Sequence, residues 1–349
     1  MVHEKHLFSL TPFGVFCIIN LDCSESNKRP VREQGETLMA IKEAMQLVED
    51  VMVKVVDSDI KTLRDASHHI LEAGGKRVRP RLLMLGYTAT GGTNLAYAAP
   101  VAAAVELVHT ASVVHDDIND HGVVRRGRPS VNAIWGRTFA LLTGDFLFTK
   151  VYELMAPYKD LNIDLAEATV ALVEGETLQA SAVKESNFTR EVYARIIALK
   201  TAALFKAAGI LGAKLSGADA STVNALGQYA YNVGLAFQIV DDILDLTVDT
   251  NQLGKTSGID LAQGRGLAVA YAANGQGSNG VAVAEETVTD ADPMKAIKQK
   301  MLQGDAVDKG RLQAQQLSQL AISYLEILPP SASKDELVNL AYMVVNRDH

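Results

Sequence analysis

Three aspartates stand at Asp116, Asp117 and Asp120 in the string His-Asp-Asp-Ile-Asn-Asp, at the end of an apolar run of helix-forming residues. On a helix, at about 100° per residue, Asp116 and Asp120 lie one turn apart on one face. Two carboxylates so placed can share a hard cation such as Mg²⁺, which keeps several waters and takes further oxygens from substrate phosphates. Alone, such a string also reads as a solvated helix end or a cap for the next helix. The sequence repeats it at Asp241, Asp242 and Asp245, after a second long apolar stretch, Leu226 to Val240. Carboxylates beside apolar helix faces need partners. Six of them brought together repel unless cations or protons intervene, so the two clusters together predict a metal-dependent site.

The complementary charge lies elsewhere in the chain. Gly74-Gly75-Lys76-Arg77-Val78-Arg79-Pro80 sets three cations behind a diglycine, and Arg125-Arg126-Gly127 follows the first acidic cluster within a few residues. Guanidinium forks match phosphate oxygens two at a time, and lysine adds a point charge. A solvated basic loop is the plain alternative for either stretch alone. With two acidic clusters in the same chain, they point to a substrate carrying diphosphates, held partly by Lys and Arg and partly through Mg²⁺. The spacing Gly-x-x-x-x-Gly-Lys-[Ser/Thr] is missing, so this is not a P-loop.

Helices must position these groups. From Thr37 onward Leu38, Ile41, Met45, Val48, Met52, Val55 and Val56 recur at helical spacing. Val101 to Val114, Leu161 to Ala182, Ile196 to Leu215 and Ser221 to Leu246 are alanine-rich, free of proline and longer than strands. Helical periodicity returns near Pro293 and runs through Leu320 to Leu328 and Lys334 to Val345. Loops are expected at Gly74-Gly75, Gly91 to Thr93, Arg125 to Pro129 and Ser186-Asn187, and no run alternates as a sustained strand. The expectation is an all-α domain of ten or more helices. The stretch 274–292, with its Asn-Gly-Gln-Gly-Ser-Asn-Gly start, fits no single element.

Composition narrows the function classes. The chain has 349 residues, 48% hydrophobic and 21% charged, which excludes a disordered or fibrous protein and leaves one or two domains open by length. With 33 basic against 41 acidic side chains, a net charge of −8, no nucleic-acid partner is expected. The two cysteines, Cys17 and Cys23, cannot staple the rest of the chain. A cytoplasmic location is the expectation, with an organelle as the alternative. Leu7 to Leu21 is uncharged but too short to span a bilayer and carries Pro12, so no transmembrane segment is expected. Residues 1–36 read as an N-terminal appendage, with disorder as one reading of it, and residues 37–349 as the working domain.

At this level the chain resembles the trans-type, head-to-tail isoprenyl diphosphate synthases, the polyprenyl synthetases. The matching stretches are GGKRVRP, ELVHTASVVHDDIND, RRGRPSVN, GDFLF, EGETLQ, ALKTAALF, GLAFQIVDDILD and LGKTSGIDL, in family order over about residues 74–261. The resemblance implies an isoprenoid-synthase helical bundle around a central cavity, normally a homodimer, with Mg²⁺, three ions in all, as cofactor. It assigns Asp116, Asp120 and Asp241 to the metal cluster, with Asp117 and Asp245 in support. Lys76, Arg79, His109 and Arg126 become the isopentenyl diphosphate site; Arg125, Lys200, Thr201, Gln238 and Lys255 become the groups holding the allylic diphosphate. Asp116, Asp120, Asp241, Lys200 and Arg125 are thereby the catalytic set. His109, on an apolar helix, would otherwise read as a core histidine, and Lys200-Thr201 as an ordinary helical pair.

The implied reaction ionises the allylic carbon–oxygen bond, joins the cation to the double bond of isopentenyl diphosphate, and loses a proton, with no protein nucleophile. In the family, bulky aromatics four or five residues before the first aspartate floor the cavity; here those positions are Ser112 and Ala111, with Val108, Val105 and Ala104 below. The resemblance therefore implies a product of C30 or longer, with Phe139, Phe146 or Phe148 as possible earlier floors and a geranylgeranyl (C20) or farnesyl product as the alternative. After Leu261 the chain departs from the family pattern, reading AQGRGLAVAYAAN. A terpene cyclase would carry an Asn/Ser/Glu second motif and lack GGKRVRP. A non-catalytic partner subunit would have lost part of an Asp motif. Membrane contact is expected only as peripheral release of a greasy product.

Overall fold

The computed structural model describes residues 31–185, 187–247, 266 and 306–347, with backbone only at 31–40 and 306. Its helices are α1 (Val31–Val55), α2 (Lys61–Glu72), α3 (Val78–Ala89), α4 (Leu95–Asn119), α5 (Val131–Met155), α6 (Leu161–Lys184), α7 (Arg190–Ile197), α8 (Ala203–Leu215), α9 (Ala220–Thr247), α10 (Ala306–Tyr324) and α11 (Ala332–Val345). The predicted helical stretches within the described residues lie in these elements, apart from Ala198–Ala202 between α7 and α8 and Leu325–Ile327, a 3₁₀ turn after α10. Their starts follow from polar caps: Ser130 Oγ accepts from Ala133 N at 3.1 Å ahead of α5, and Ser331 Oγ from Lys334 N at 3.1 Å ahead of α11. Helix α1 begins at Val31, so the expected domain boundary at residue 37 falls inside it. The stretch 274–292 and the helical periodicity from Pro293 lie outside the described residues.

Helix α4 is apolar nearly all round, and such a helix must be surrounded. Ala98, Val101, Ala102, Ala103, Val105 and Leu107 are at most 0% exposed, and α1, α3, α5 and α8 pack against it. Helix α9 is enclosed in the same way by α8, α10 and α11. Two stretches, Leu95–Asn119 and Arg190–Leu215, are long and apolar enough to cross a membrane by length and composition; 78% and 67% of their most apolar windows are buried inside the fold. Their hydrophobicity is that of central helices, and both carry candidate site residues.

Two local features depart from the sequence reading. The predicted loop from Arg125 to Pro129 contains a minimal antiparallel hairpin, β1 (Val124–Arg125) and β2 (Arg128–Pro129), pairing Val124 with Pro129 and Arg125 with Arg128. Strands of two residues are too short for alternation to show. The predicted helix Ile196 to Leu215 is also interrupted: Ala198–Ala202 takes a π turn between α7 and α8. Periodicity does not register such a bulge, because one inserted residue leaves the apolar face nearly in place.

Candidate active site

The loop between α2 and α3 carries Lys76, with Arg79 next in the first turn of α3, and the loop backbone is left-handed at Gly74 (φ 73), Gly75 (φ 142) and Arg77 (φ 46). Facing it is the turn of the hairpin, Arg126-Gly127, with φ of 53 and 73. Both residues of a two-residue hairpin turn need positive φ to match strand twist, which glycine adopts freely and arginine does not. His69 Nε2 on α2 donates to the Pro129 carbonyl at 2.8 Å and ties the hairpin down. Arg126 donates to the Gly74 carbonyl. A Cβ on Gly75 would stand 2.8 Å from Arg126 Cζ, so the diglycine is what lets the guanidinium lie against the loop.

His109 on α4 lies among these cations. Burial, then Arg79, Arg126, Arg125 and Arg77, hold its imidazole well below the usual histidine range, so it is neutral and can donate one N–H. Burial also lowers the Arg79 guanidinium to about 10, against the pull of Glu106 and Asp241; its Cζ lies 4.7 Å from the Phe205 ring centre. The Lys76 ammonium is lowered by burial and by Arg347, with Asp241 acting the other way. Asp241 is thus within electrostatic reach of both Lys76 and Arg79.

On the acidic side, Lys200 Nζ lies 3.5 Å from Asp116 Oδ2 and 2.6 Å from Glu176 Oε1. Burial and the neighbouring Asp116 raise the Glu176 carboxyl to about 7, with Lys200 opposing. Lys200 sits in the π turn, a type of bulge that recurs at functional sites. The turn is pressed against α6 at Gly175, where a Cβ would meet Lys200 N at 2.6 Å. Asp117 is turned away from this pair: it is buried, Arg125 Nε donates to its Oδ1 at 2.9 Å, and burial raises its carboxyl despite that bond. The Asp120 N–H donates to the Asp116 carbonyl at 2.8 Å and closes the helix end.

From α9, Asp241 Oδ1 pairs with Arg347 Nη1 at 2.8 Å; the Arg347 Cζ lies 4.1 Å from the Phe237 ring centre and Nη2 donates to the Phe237 carbonyl at 3.0 Å. Asp245 is buried. Asp242 accepts from Tyr193 Oη at 2.7 Å and from Gln238 Nε2 at 2.8 Å, while Thr201 Oγ1 donates to Gln238 Oε1 at 2.8 Å. A small cleft opens beside Lys200, lined also by Thr201, Gln238, Asp242, Tyr193 and Phe188.

The metal implied by the two clusters can be tested against this arrangement. Among the described residues, no three His, Cys, Asp or Glu side chains converge as a ready-made ion site. Mg²⁺ does not need one, since it is commonly held by one or two carboxylates with waters and substrate phosphates completing the shell. Asp116 and Asp241 already attract cations of the chain, Lys200 and Arg347. The donor set therefore fits Mg²⁺ that arrives together with a diphosphate.

The profile of the polyprenyl synthetase family matches residues 60–303. The chain belongs to the polyprenyl synthetase family. Octaprenyl diphosphate synthase of Haemophilus influenzae is 34% identical over 329 residues, covering 90% of this chain and 99% of that one. Component 2 of the heptaprenyl diphosphate synthase of Geobacillus stearothermophilus is 35% identical over 312 residues, covering 88% and 97%. Among solved structures, the polyprenyl synthase of Caulobacter crescentus CB15 complexed with calcium and isoprenyl diphosphate superposes with a TM-score of 0.83 at 32% identity, covering 90% and 98%. A decaprenyl diphosphate synthase from Rhodobacter capsulatus gives 0.81 at 31% identity, covering 90% and 99%. This polyprenyl synthetase is a prenyltransferase with the all-α isoprenoid-synthase fold, as its motifs implied.

Within the polyprenyl synthetase frame, the structure brings Arg79, His109 and Arg126 within electrostatic reach of one another, has Lys76 share Asp241 with Arg79, sets Lys200 beside Asp116, and links Thr201 to Gln238. Asp117 and Asp245, expected to support the metal cluster, are buried at 1% exposure. Lys255 lies outside the described residues. Glu176, Tyr193, Glu106 and Arg347 escaped the sequence reading, which names Asp242 and Arg77 only as members of their charge clusters. Glu176 stands inside the EGETLQ stretch and Asp242 inside the second aspartate cluster, where the motif pattern could have pointed to them. Arg347 has no motif around it, and only folding brings it to Asp241.

Proposed function

We propose that this polyprenyl diphosphate synthase joins isopentenyl diphosphate head-to-tail to an allylic diphosphate, with Mg²⁺, three ions, to give a trans-polyprenyl diphosphate of C30 or longer. The observation that carries it is the pairing of two unlike poles along α4. His109, among Arg79 and Arg126, and Asp116, beside Lys200, are seven residues apart on one face, a separation of about 10 Å at 1.5 Å per residue. That distance suits two diphosphates side by side rather than one.

In this reading, Lys76, Arg79, His109 and Arg126 hold the diphosphate of isopentenyl diphosphate and orient its double bond. Lys200, Thr201 and Arg125 hold the allylic diphosphate; Lys255 belongs with them by motif. Asp116, Asp120 and Asp241 are the metal carboxylates, and Mg²⁺ when bound neutralises the diphosphate as it departs. The carbon–oxygen bond of the allylic diphosphate breaks with its electron pair leaving on oxygen. Lys200 and Arg125 meet that growing charge, and preorganised cations accelerate ionisation there most. The alkene π pair then forms the new carbon–carbon bond, and a proton lost from the adjoining carbon restores a double bond, with the released diphosphate as the nearest base. Phe188, Ile196 and Ile197 line the cleft and keep water from the cation.

Chain length is read from α4. Ser112 and Ala111 offer no bulk beneath Asp116, and Phe139, one candidate floor, is 47% exposed and faces outward. Homodimerisation is supported by the apolar side chains on the surfaces of α5 and α6: Leu141 (49%), Leu142 (47%), Val170 (58%) and Val173 (52%) are all exposed, and such patches mark association sites. The test is product analysis: the purified chain with Mg²⁺, isopentenyl diphosphate and separate C5, C10, C15 and C20 primers, followed by dephosphorylation and chromatography. Alcohols of C30 or longer are the expected result. A sharp stop at C20 overturns the chain-length reading, and no condensation with any primer makes the chain the partner subunit of another synthase. Sedimentation velocity of the same sample gives the oligomeric state, with a dimer expected.

A further inference from the structure

Arg77 sits between two of the proposed diphosphate ligands in sequence, yet its side chain enters the fold and is only 8% exposed. Its Nε and Nη2 donate to the two carboxylate oxygens of Glu49 on α1 at 2.6 and 3.3 Å. Nη1 donates to Glu106 Oε1 on α4 at 3.1 Å, and Nη2 also reaches the Leu71 carbonyl near the end of α2 at 3.0 Å. One planar guanidinium therefore fastens the loop to three helices. The loop needs fastening: Arg77 itself has φ 46, a conformation an L residue keeps only where its surroundings over-determine it. Glu106 is 2% exposed and attracts Arg79 and Arg126 as well as Arg77. Burial works against the charge of Arg77, but Glu106 and Glu49 outweigh it and its affinity for the proton is raised. Without such a countercharge three guanidiniums could not gather beside His109 before any anion arrives.

We propose that Arg77, held by Glu49 and Glu106, is the positioning residue of the isopentenyl diphosphate site: it sets the backbone from Gly74 to Arg79 so that Lys76 and Arg79 reach one diphosphate together, while Glu106 balances the charge of the empty site. This rests on the reading that Lys76 and Arg79 bind that diphosphate. The arrangement depends on a fork, because a lysine at 77 would keep the charge but could not span Glu49, Glu106 and the Leu71 carbonyl at once.

The experiment is steady-state kinetics of the full chain with each substrate varied in turn, alongside thermal melting, for Arg77→Lys, Glu49→Gln and Lys76→Ala. Arg77→Lys is expected to raise KM for isopentenyl diphosphate about tenfold and to leave KM for the allylic primer within about twofold. Glu49→Gln, which loosens only the half-exposed end of the cluster, is expected to move the same constant in the same direction by about threefold. If Arg77→Lys does not fold, Glu49→Gln decides alone. A merely structural cluster would lower the melting temperature and shift both KM values together or neither, and either result overturns the proposal. Lys76→Ala separates the layers: if it raises KM for isopentenyl diphosphate while the other two variants do not, the positioning role fails and the site reading stands. If Lys76→Ala leaves that constant unchanged, the site reading fails and takes the positioning role with it.

Discussion

The basic and acidic poles of α4 are built differently. Around His109, Arg77 is anchored to the buried Glu106, and Arg126 donates into the loop that carries Lys76. The loop geometry is complete without a ligand. Around Asp116 and Asp241 each carboxylate is engaged by a cation of the chain, Lys200 at 3.5 Å and Arg347 at 2.8 Å, and under the proposed function those contacts would be re-made as metal and diphosphate enter. A pole that only orients a substrate gains from rigidity. A pole where charge develops needs ligands whose strength is expressed on the departing group, and exchangeable contacts suit it. The comparison teaches that the same family of side chains can be prearranged or left exchangeable according to what bonds change next to them.

The strongest way to break this contrast is at Asp116. Asp116→Ala is expected to lower kcat by about 10³-fold or more, the scale seen when a group stabilising developing charge is removed, with KM for isopentenyl diphosphate nearly unchanged. Asp117→Asn sharpens it, because Asp117 holds Arg125 at 2.9 Å rather than facing Lys200. There the expected effect is about tenfold on KM for the allylic primer and less on kcat. If the neighbouring aspartates proved equivalent in kinetics, the structural distinction between them would carry no weight. Next in size is Gly175→Ala. Its Cβ would meet Lys200 N at 2.6 Å, so the π turn must move; a loss of about 1–3 kcal/mol in stability, the usual cost of overpacking, should accompany a fall in kcat, both read on one preparation by urea titration and product assay.

Much of this was legible in the residues, and the limits are physical. The long helices showed because apolar residues recur at three and four over many turns, and the poles showed because charge beside apolar faces demands partners. The hairpin at 124–129 was read as a loop, since two-residue strands carry no alternation. The π turn was invisible because Ala198 to Ala202 are ordinary helix formers, and what selects the bulge is the close pass of α6 at Gly175. Spacing set Asp117 off the face shared by Asp116 and Asp120, but only the fold shows that Asp116 lies beside Lys200 and Asp117 holds Arg125. Arg347 could not be anticipated, as its partner Asp241 lies over one hundred residues away in the chain and nothing local marks the contact.

The smallest expected effect distinguishes the poles by sign. In the ligand-free protein His109 is held neutral, its folded pKa well below 6.5. As pH falls through 6.5 the unfolded chain takes up a proton that the folded site refuses, so stability is present above the unfolded pKa and lost below it. For one histidine that loss is under about 1 kcal/mol between pH 7 and pH 6. Glu176 runs the other way: its carboxyl is raised to about 7, so between the unfolded value and pH 7 the folded state binds the extra proton and stability rises as pH falls. Urea titrations at pH 7 and pH 6, without Mg²⁺ or substrate, separate the two through variants. His109→Gln should lose less stability on acidification than the parent chain, and Glu176→Gln should lose more. Variants that both changed in one direction would mean that the poles do not differ in their electrostatics, whatever their geometry. Isopentenyl diphosphate in excess should then shrink the His109 effect, because an anion beside the imidazole favours its charged form.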